Sequence, residues 1–294
     1  MDRESELTVV RRAYAKQILA AAGVANASLE HAYATVRRER FLGAGPWQMY
    51  RHTGAYAATP EADPVYLYVD QVVGLVTQRN VNNGQPSLHA MLIGAANLGP
   101  GEHVVHVGAG SGYYSAIMAQ IVGSTGKVTA IECDPALAER ARDCLSGLSN
   151  VRVLEGDGAS VPFDVADVIY VNAGVTHPAD AWLDGLSAGG RLIIPLTTDE
   201  NFPIPDSPFD PLKAMRSGAY FLVQRCGQSY EARVLLPTAI IPALGAGRDR
   251  AAEAALSQAF AKGGLNRVAH LVRNAQVPDD RCWLKGPGWG LTCE

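Results

Sequence analysis

His103-Val104-Val105-His106-Val107-Gly108-Ala109-Gly110-Ser111-Gly112-Tyr113 begins as a short β-rich run and passes, through three glycines, into the helical pattern Tyr113–Val122. Glycines suit such a turn because they accept unusual backbone angles and let a ligand approach closely. The helix behind them presents unpaired N–H groups in its first turn. A strand-to-helix turn without a ligand would use the same residues, so the loop gains meaning only from the segments after it. Lys127–Glu132 predicts the next strand and Pro135–Leu145 the next helix. Val151–Leu154, Val168–Val171 and Arg191–Leu196 predict further strands, with a helix over Ala179–Leu186. This alternation predicts an α/β fold, a Rossmann-like and mainly parallel central sheet flanked by helices. Ala219–Arg225 and Ala232–Leu236 predict an antiparallel hairpin at the sheet's edge.

Toward the N-terminus, Leu7, Val10, Tyr14, Ile18 and Ala21 recur at helical spacing, predicting a helix over Glu4–Ala22 that stops at Gly23. A second helix is predicted from an N-cap at Ser28 through Val36. The basic run Arg37, Arg38 and Arg40 reads as a solvated helix end, with acidic-substrate binding as the alternative. Irregular structure with short strands around Val65–Val76 follows, and then a helix from Pro86 to Leu98 ended by Gly99-Pro100-Gly101. Five of the seventeen prolines lie between Pro195 and Pro211, which predicts a loop there. Arg250–Lys262 is Ala-rich and helical, and Val268–Val272 is read as continuing it after Gly263-Gly264. The tail from Arg281 holds Trp283 and Trp289 among glycines, a composition that docks on its own domain or on a partner.

Composition narrows the classes. Of 294 residues 48% are hydrophobic and 18% charged, which supports a sizeable core and excludes wholesale disorder. Lys+Arg total 25 against Asp+Glu 29, a net charge of −4 that argues against nucleic acid as the main partner. No apolar run approaches the roughly 20 residues of a membrane span, which argues against a membrane partner. The charged N-terminus lacks the apolar stretch of a secretory signal. Five cysteines without a C-x-x-C pair argue against a disulfide framework, so the chain reads as cytoplasmic with reduced thiols. His270, Cys282 and Cys293 match no metal-ligand spacing, and no metal is expected.

The glycine spacing then separates ligands. A dinucleotide fingerprint is G-x-G-x-x-G, whereas here Gly112 falls one residue early and Tyr113 follows it. That disfavours a nicotinamide-dependent dehydrogenase. G-x-G-x-G is the pattern of methyltransferases that use S-adenosyl-L-methionine. Glu132, ending the next strand, is placed to accept hydrogen bonds from ribose hydroxyls, and Asp157, in Glu155-Gly156-Asp157-Gly158, suits an adenine amine. Singly, Glu132 could cap the following helix and Asp157 could be a turn residue; in order after successive strands they point to the cofactor. The loop side of this set is His106, Gly108, Ala109, Gly110, Ser111, Gly112 and Tyr113. Glu132, Cys133, Gly156, Asp157, Gly158 and Asn172 complete it. His106 reads rather as a satisfied strand-end histidine, and Tyr113 equally as packing.

From about Arg37 to Pro242 these motifs resemble the protein-L-isoaspartate O-methyltransferase family. Arg38-Glu39-Arg40-Phe41 is similar to its Arg-Glu-x-Phe motif, and Gln85-Pro86 with Leu88-His89-Ala90 to the segment lining its active site. Val104–Ala119, Gly156-Asp157-Gly158, Gly189-Gly190-Arg191-Leu192 to Pro195, and Leu235-Leu236-Pro237 match its later motifs. The resemblance implies methylation of an isoaspartyl-type carboxylate, on a peptide, a protein or a small molecule, with S-adenosyl-L-methionine. Two positions depart from the pattern. Gly84 stands where the family has a serine beside the reactive carboxylate, and His106 where it usually has an acid. The acceptor side then falls to Asn83, Gln85, Ser87 and His89, with Asn82 as a neighbour, although Asn82-Asn83-Gly84 also reads as a plain turn. A carboxylate acceptor, with a pKa of about 4, is already ionised and needs no general base, in keeping with the absence of a Ser/His/Asp constellation. Gly84 keeps open a same-fold methyltransferase acting on another acceptor, and the C-terminal segment keeps open a non-catalytic cofactor- or partner-binding protein. The expected organisation is a helical, substrate-side lead-in over 1–80, a cofactor-binding core over 81–245, and a helical extension with a Trp-rich tail over 246–294 through which the chain could form a homo-oligomer.

Overall fold

The Asp2 carboxylate accepts the Ser5 N–H and starts helix α1 (Arg3–Ala22), which Gly23 ends in the left-handed conformation. Helix α2 (Ala27–Thr35) is capped by Asn26, whose side chain accepts the Leu29 N–H, and not by Ser28, which lies inside the helix. There follow β1 (Gln48–Tyr50), β2 (Tyr56–Ala58), β3 (Gly74–Val76), β4 (Val81–Asn82), α3 (Pro86–Ala96), β5 (His103–Val107), α4 (Tyr113–Val122), β6 (Lys127–Glu132), α5 (Pro135–Leu145) and β7 (Val151–Glu155). The remainder comprises β8 (Ala166–Val171), α6 (Asp180–Gly185), β9 (Leu186–Thr197), β10 (Gly218–Cys226), β11 (Ser229–Pro237), α7 (Arg250–Lys262), β12 (Val268–Arg273), β13 (Cys282–Gly286) and β14 (Trp289–Cys293). This computed structural model describes residues 2–51, 54–199, 217–273 and 281–293. Most of the predicted proline loop falls on 200–216, outside the described residues, while Pro195 itself belongs to β9. No helix among the described residues is long and apolar enough to cross a membrane.

The chain divides into two compact units, 1–102 with 109–155 and 103–108 with 156–294. In the first, β6 and β7 pair in parallel from Val128 opposite Val151 to Glu132 opposite Glu155. Helix α5 connects them; the Asp134 side chain caps it at Leu137 N, 3.0 Å, and Leu137, Ala138, Ala141 and Leu145 are its buried residues.

The same unit encloses a charge completely. Arg38 is fully buried, so it is no solvated helix end, unlike the exposed Arg37 and Arg40. Its Nη1 donates to the carbonyls of Leu67 (2.5 Å) and Val69 (3.0 Å), and its Nη2 to that of Gln71 (2.7 Å). The guanidinium also lies 5.9 Å from the centre of the Tyr113 ring, which contacts Tyr33 and Phe41 in turn. A guanidinium spreads its charge over a plane of five N–H donors, which is why carbonyls and ring faces can hold it without a carboxylate.

In the second unit, β5, β8 and β9 are parallel, and β9, β10 and β11 antiparallel. The strands run in the order β13-β14-β12-β11-β10-β9-β8-β5. The predicted edge hairpin, β10–β11, is therefore not the edge. Val268–Val272, expected to be helical, is strand β12: a run of six residues pairs with β11 and β14 where it is too short to carry a helix of its own. Among the described residues the C-terminal extension thus holds one α-helix, a short 3-10 helix and three strands. Its Trp283 is buried between Phe221 and Phe260, with Nε1 donating to the Gly263 carbonyl at 3.1 Å, so the tail docks on its own unit.

Two measurements test this packing. Arg38→Met takes the donor from the carbonyls of Leu67 and Gln71, each worth about 1–3 kcal/mol, so urea denaturation should show a loss of at least about 2 kcal/mol. Arg38→Lys should recover little of it, because an ammonium cannot span three carbonyls. A wild-type urea midpoint in either variant would show that the cation is not structural. His106 is buried against Tyr170, and burial pushes its imidazole down to about 3 from the ordinary 6.5. Between those values the unfolded chain takes up a proton that the folded chain refuses, so stability falls as pH falls through that window. The expected slope is about 1.4 kcal/mol per pH unit, measurable between pH 6 and 4 as a difference from His106→Leu.

Candidate functional site

The glycine loop is built from both flanking elements. In the first unit the Ala109 N–H donates to the Ile131 carbonyl at 3.1 Å, and the Gly110 N–H donates to Glu132 Oε2 at 2.7 Å. Glu132 Oε1 accepts from the Asp134 N–H (3.0 Å) and, weakly, from the Cys133 thiol (3.6 Å). The carboxylate ending β6 is thereby fastened beneath the loop rather than used as a helix cap; Asp134 caps α5. The Cys133 thiol is pushed up to about 11 by burial and by the Glu132 charge. Ser111 and Tyr113 are buried, and Tyr113 belongs to the aromatic shell of Arg38. Gly112 opens α4, whose N-terminus no side chain caps.

In the second unit, Asn172 follows β8. Its N–H donates to the Val107 carbonyl (2.8 Å) and its Nδ2 to the Gly108 carbonyl (3.4 Å). His106 points into the core, while Gly158 accepts from Trp182 Nε1 at 2.8 Å. Asp157 lies between Gly156 and Gly158; its Oδ1 accepts the Ala159 N–H at 2.9 Å and its Oδ2 the Ala246 N–H at 2.7 Å.

Each unit by itself has polar groups of this set with capacity for a ligand. Gly108, Gly110 and Gly112 are all at positive φ, and the start of α4, which no side chain caps, has N–H groups for a carboxylate. A carboxylate offers about four lone-pair positions, and Asp157 uses two of them within the protein.

The acceptor-side residues all lie in the first unit. The Asn83 side chain is buried; its Oδ1 accepts the Val73 N–H at 2.9 Å and faces Arg38 Nη2 at 3.5 Å, while its Nδ2 has no partner among the described residues. Gln85 is exposed and Ser87 half-buried, and both are committed to Asp70. Ser87 Oγ donates to Asp70 Oδ2 at 2.6 Å, Ser87 N to Oδ1 at 2.9 Å, and Gln85 Nε2 to Oδ2 at 3.0 Å. Asp70 thus acts as a helix cap supplied from outside α3.

His89 is buried and stacks on Tyr114, with ring centres 3.6 Å apart and planes 12° apart. Gly84 lies over its edge. At φ +74° a Cβ on residue 84 would sit 2.1 Å from His89 Nε2. The imidazole fills the space a side chain would need, so glycine is required there by contact as well as by backbone angle.

Sequence reasoning missed Asp70, Arg38 and Tyr114. The Arg-Glu-x-Phe resemblance was a signal for Arg38, because a motif arginine next to an acid and an aromatic is a poor match to a solvated run. Asp70 and Tyr114 carried no local signal, since their partners lie 15 to 30 residues away.

The model of the family described as protein-L-isoaspartate(D-aspartate) O-methyltransferase matches residues 53–205, just over half of the chain. A protein-L-isoaspartate O-methyltransferase of Ignicoccus hospitalis is 35% identical over 161 residues, covering 53% of this chain and 69% of that protein. Among solved structures, a protein-L-isoaspartate O-methyltransferase superposes with a TM-score of 0.64 at 28% identity, covering 81% of this chain and 67% of the other. A candidate member from Plasmodium falciparum, solved with S-adenosyl-L-homocysteine, superposes with a TM-score of 0.59 over 79% of this chain and 97% of its own. At 16% identity that likeness is one of fold alone. The chain belongs to the protein-L-isoaspartate(D-aspartate) O-methyltransferase family.

Proposed function

We propose that this chain is an S-adenosyl-L-methionine-dependent carboxyl O-methyltransferase acting on an isoaspartyl-type carboxylate of a peptide or protein, or on a related carboxylate. The observation that carries this reading is the glycine loop fastened to the acid of the next strand, Gly110 N–H to Glu132 Oε2 at 2.7 Å. In it Glu132 accepts ribose hydroxyls, Asp157 accepts the adenine amine, and the backbone of Gly108–Gly112 with the start of α4 holds the amino-acid end. When bound, the cofactor supplies an electrophilic methyl group on a sulfonium. The chain's own part is to bind, orient and desolvate, because a carboxylate nucleophile needs no proton removed at neutral pH. His106 is buried, and burial keeps its imidazole neutral.

A second reading has its own support. Ser87 cannot stand in for the serine that the family carries at position 84, because its hydroxyl is engaged by Asp70, whose carboxylate would also face an anionic acceptor. This favours a same-fold enzyme whose acceptor is held by other groups and is not itself an isoaspartate. Radiolabel transfer from S-adenosyl-L-methionine decides between the two: labelling of an isoaspartyl peptide supports the first, and labelling of a different acceptor supports the second.

Calorimetry with S-adenosyl-L-homocysteine tests the cofactor site directly. Hydrogen bonds to a charged group contribute about 1.5–3 kcal/mol, so Glu132→Ala and Asp157→Ala should each weaken binding roughly 10- to 100-fold. Unchanged affinity in either variant would remove that residue from the site, and no binding by the wild type would remove the proposal. Placing a serine at position 84 is expected to be costly. Gly84→Ser should destabilise the fold by about 1–3 kcal/mol through overpacking, without raising transfer to isoaspartyl peptide. Adding His89→Ala should recover stability, and a Gly84→Ser protein as stable as wild type would refute the contact with His89.

A further inference from the structure

The segment Ile241–Asp249 lies beyond residue 205, where the family match ends, and it is bound into the second unit more firmly than a connection to α7 requires. The Gly174 N–H donates to the Ile241 carbonyl (2.7 Å), Ala243 N to Gly174 O (2.8 Å), and Thr176 N to Gly247 O (3.0 Å). The Asp249 N–H donates to Thr176 Oγ1 at 2.9 Å. Arg248 pins the segment from within. Its Nη1 donates to the carbonyls of Gly174 (3.1 Å) and Thr197 (3.3 Å), and its Nη2 pairs with Asp199 (2.7 Å) and Glu253 (3.2 Å). Residues 174–176 follow the carboxyl end of β8, and ligands of parallel sheets bind outside the carboxyl ends of their strands.

Between these fastenings the segment turns toward Asp157. The Ala246 N–H donates to Asp157 Oδ2 at 2.7 Å, opposite the Ala159 N–H on Oδ1. Gly245 adopts φ +85°, and a Cβ there would sit 2.4 Å from the same Oδ2. Two main-chain donors, one on each oxygen, fix the plane of the carboxylate and leave its other lone pairs to a ligand.

We propose that Gly245-Ala246, held in place by Arg248, positions Asp157 for the adenine amine, so that a segment outside the family match sets the preference for a 6-amino nucleoside. The inference rests on the reading that Asp157 accepts that amine. Gly245 and Arg248 act through Asp157 and are positioning residues, with no contact of their own to the nucleoside.

The test uses the full chain and two ligands, S-adenosyl-L-homocysteine and S-inosyl-L-homocysteine, the second carrying a 6-oxo group in place of the amine. Calorimetry should show the wild type preferring the adenosyl compound at least tenfold. Gly245→Ala and Arg248→Met should lose most of that preference by weakening the adenosyl compound roughly tenfold while the inosyl compound stays within twofold. A merely structural role would weaken both compounds in parallel and preserve the ratio, which would overturn the inference. Should Gly245→Ala not fold, as judged by circular dichroism, Arg248→Met alone decides. Asp157→Asn separates the levels: if it abolishes the preference while Gly245→Ala and Arg248→Met keep it, only this inference fails. If the wild type shows no preference, or Asp157→Asn retains it, the assignment of Asp157 fails and this inference with it. If the wild type binds neither compound, the proposed function itself fails.

Discussion

The first unit depends on a buried positive charge that pairs with no carboxylate among the described residues. Arg38 is held by the carbonyls of Leu67, Val69 and Gln71, three alternate residues of one turn, and so fixes the path of that turn. Two consequences pass from it to the acceptor-side segment. Val73 and Asn83 exchange hydrogen bonds, Val73 N to Asn83 Oδ1 and Asn83 N to Val73 O, which ties the end of the turn to the start of that segment. Asp70, lying between two of the carbonyls Arg38 holds, captures Gln85 and Ser87 and so sets where α3 begins. The order of the acceptor-side loop is thus imposed by a guanidinium more than 40 residues earlier in the chain.

The carboxylates of Asp70, Glu132 and Asp157 share one manner of support. Each is gripped by at least one main-chain N–H from a different segment, Ser87, Gly110 and Ala246 respectively. A backbone donor cannot rotate away as a side-chain donor can, so the orientation of each acid is a property of the fold and costs little ordering when a ligand arrives. For Asp70 this orientation is spent on building a helix start. For Glu132 and Asp157 it serves ligand binding in the reading proposed above.

What the sequence disclosed, and what it hid, depends on the distance over which each feature is determined. The run from β5 to β7 was legible because every boundary in it is local: glycines at the loop, Asp134 and Pro135 at the start of α5, short runs rich in β-branched residues in the strands. Arg38 was misread because a charged run beside a helix end reads as solvated, and only carbonyls 29 to 33 residues away reverse that. Strand β12 was misread because a short apolar run after a helix has no period of its own, and its pairing with β14 is set by residues near the chain's end. At the site, the loop and its acid were legible by spacing. Asp70, a lone acid in irregular chain, was not, and the reason for Gly84 lay in a ring five residues on.

The Gly84–His89 contact also constrains the order in which this sequence can change. A side chain at position 84 is blocked while the imidazole stays where it is, and the imidazole is held by its stack on Tyr114. The two positions are therefore not independent: a replacement at 89 has to precede or accompany one at 84, and the reverse order passes through an overpacked intermediate. A chain of this family that has acquired glycine and the buried ring together is held away from serine by its own packing, whatever acceptor it serves.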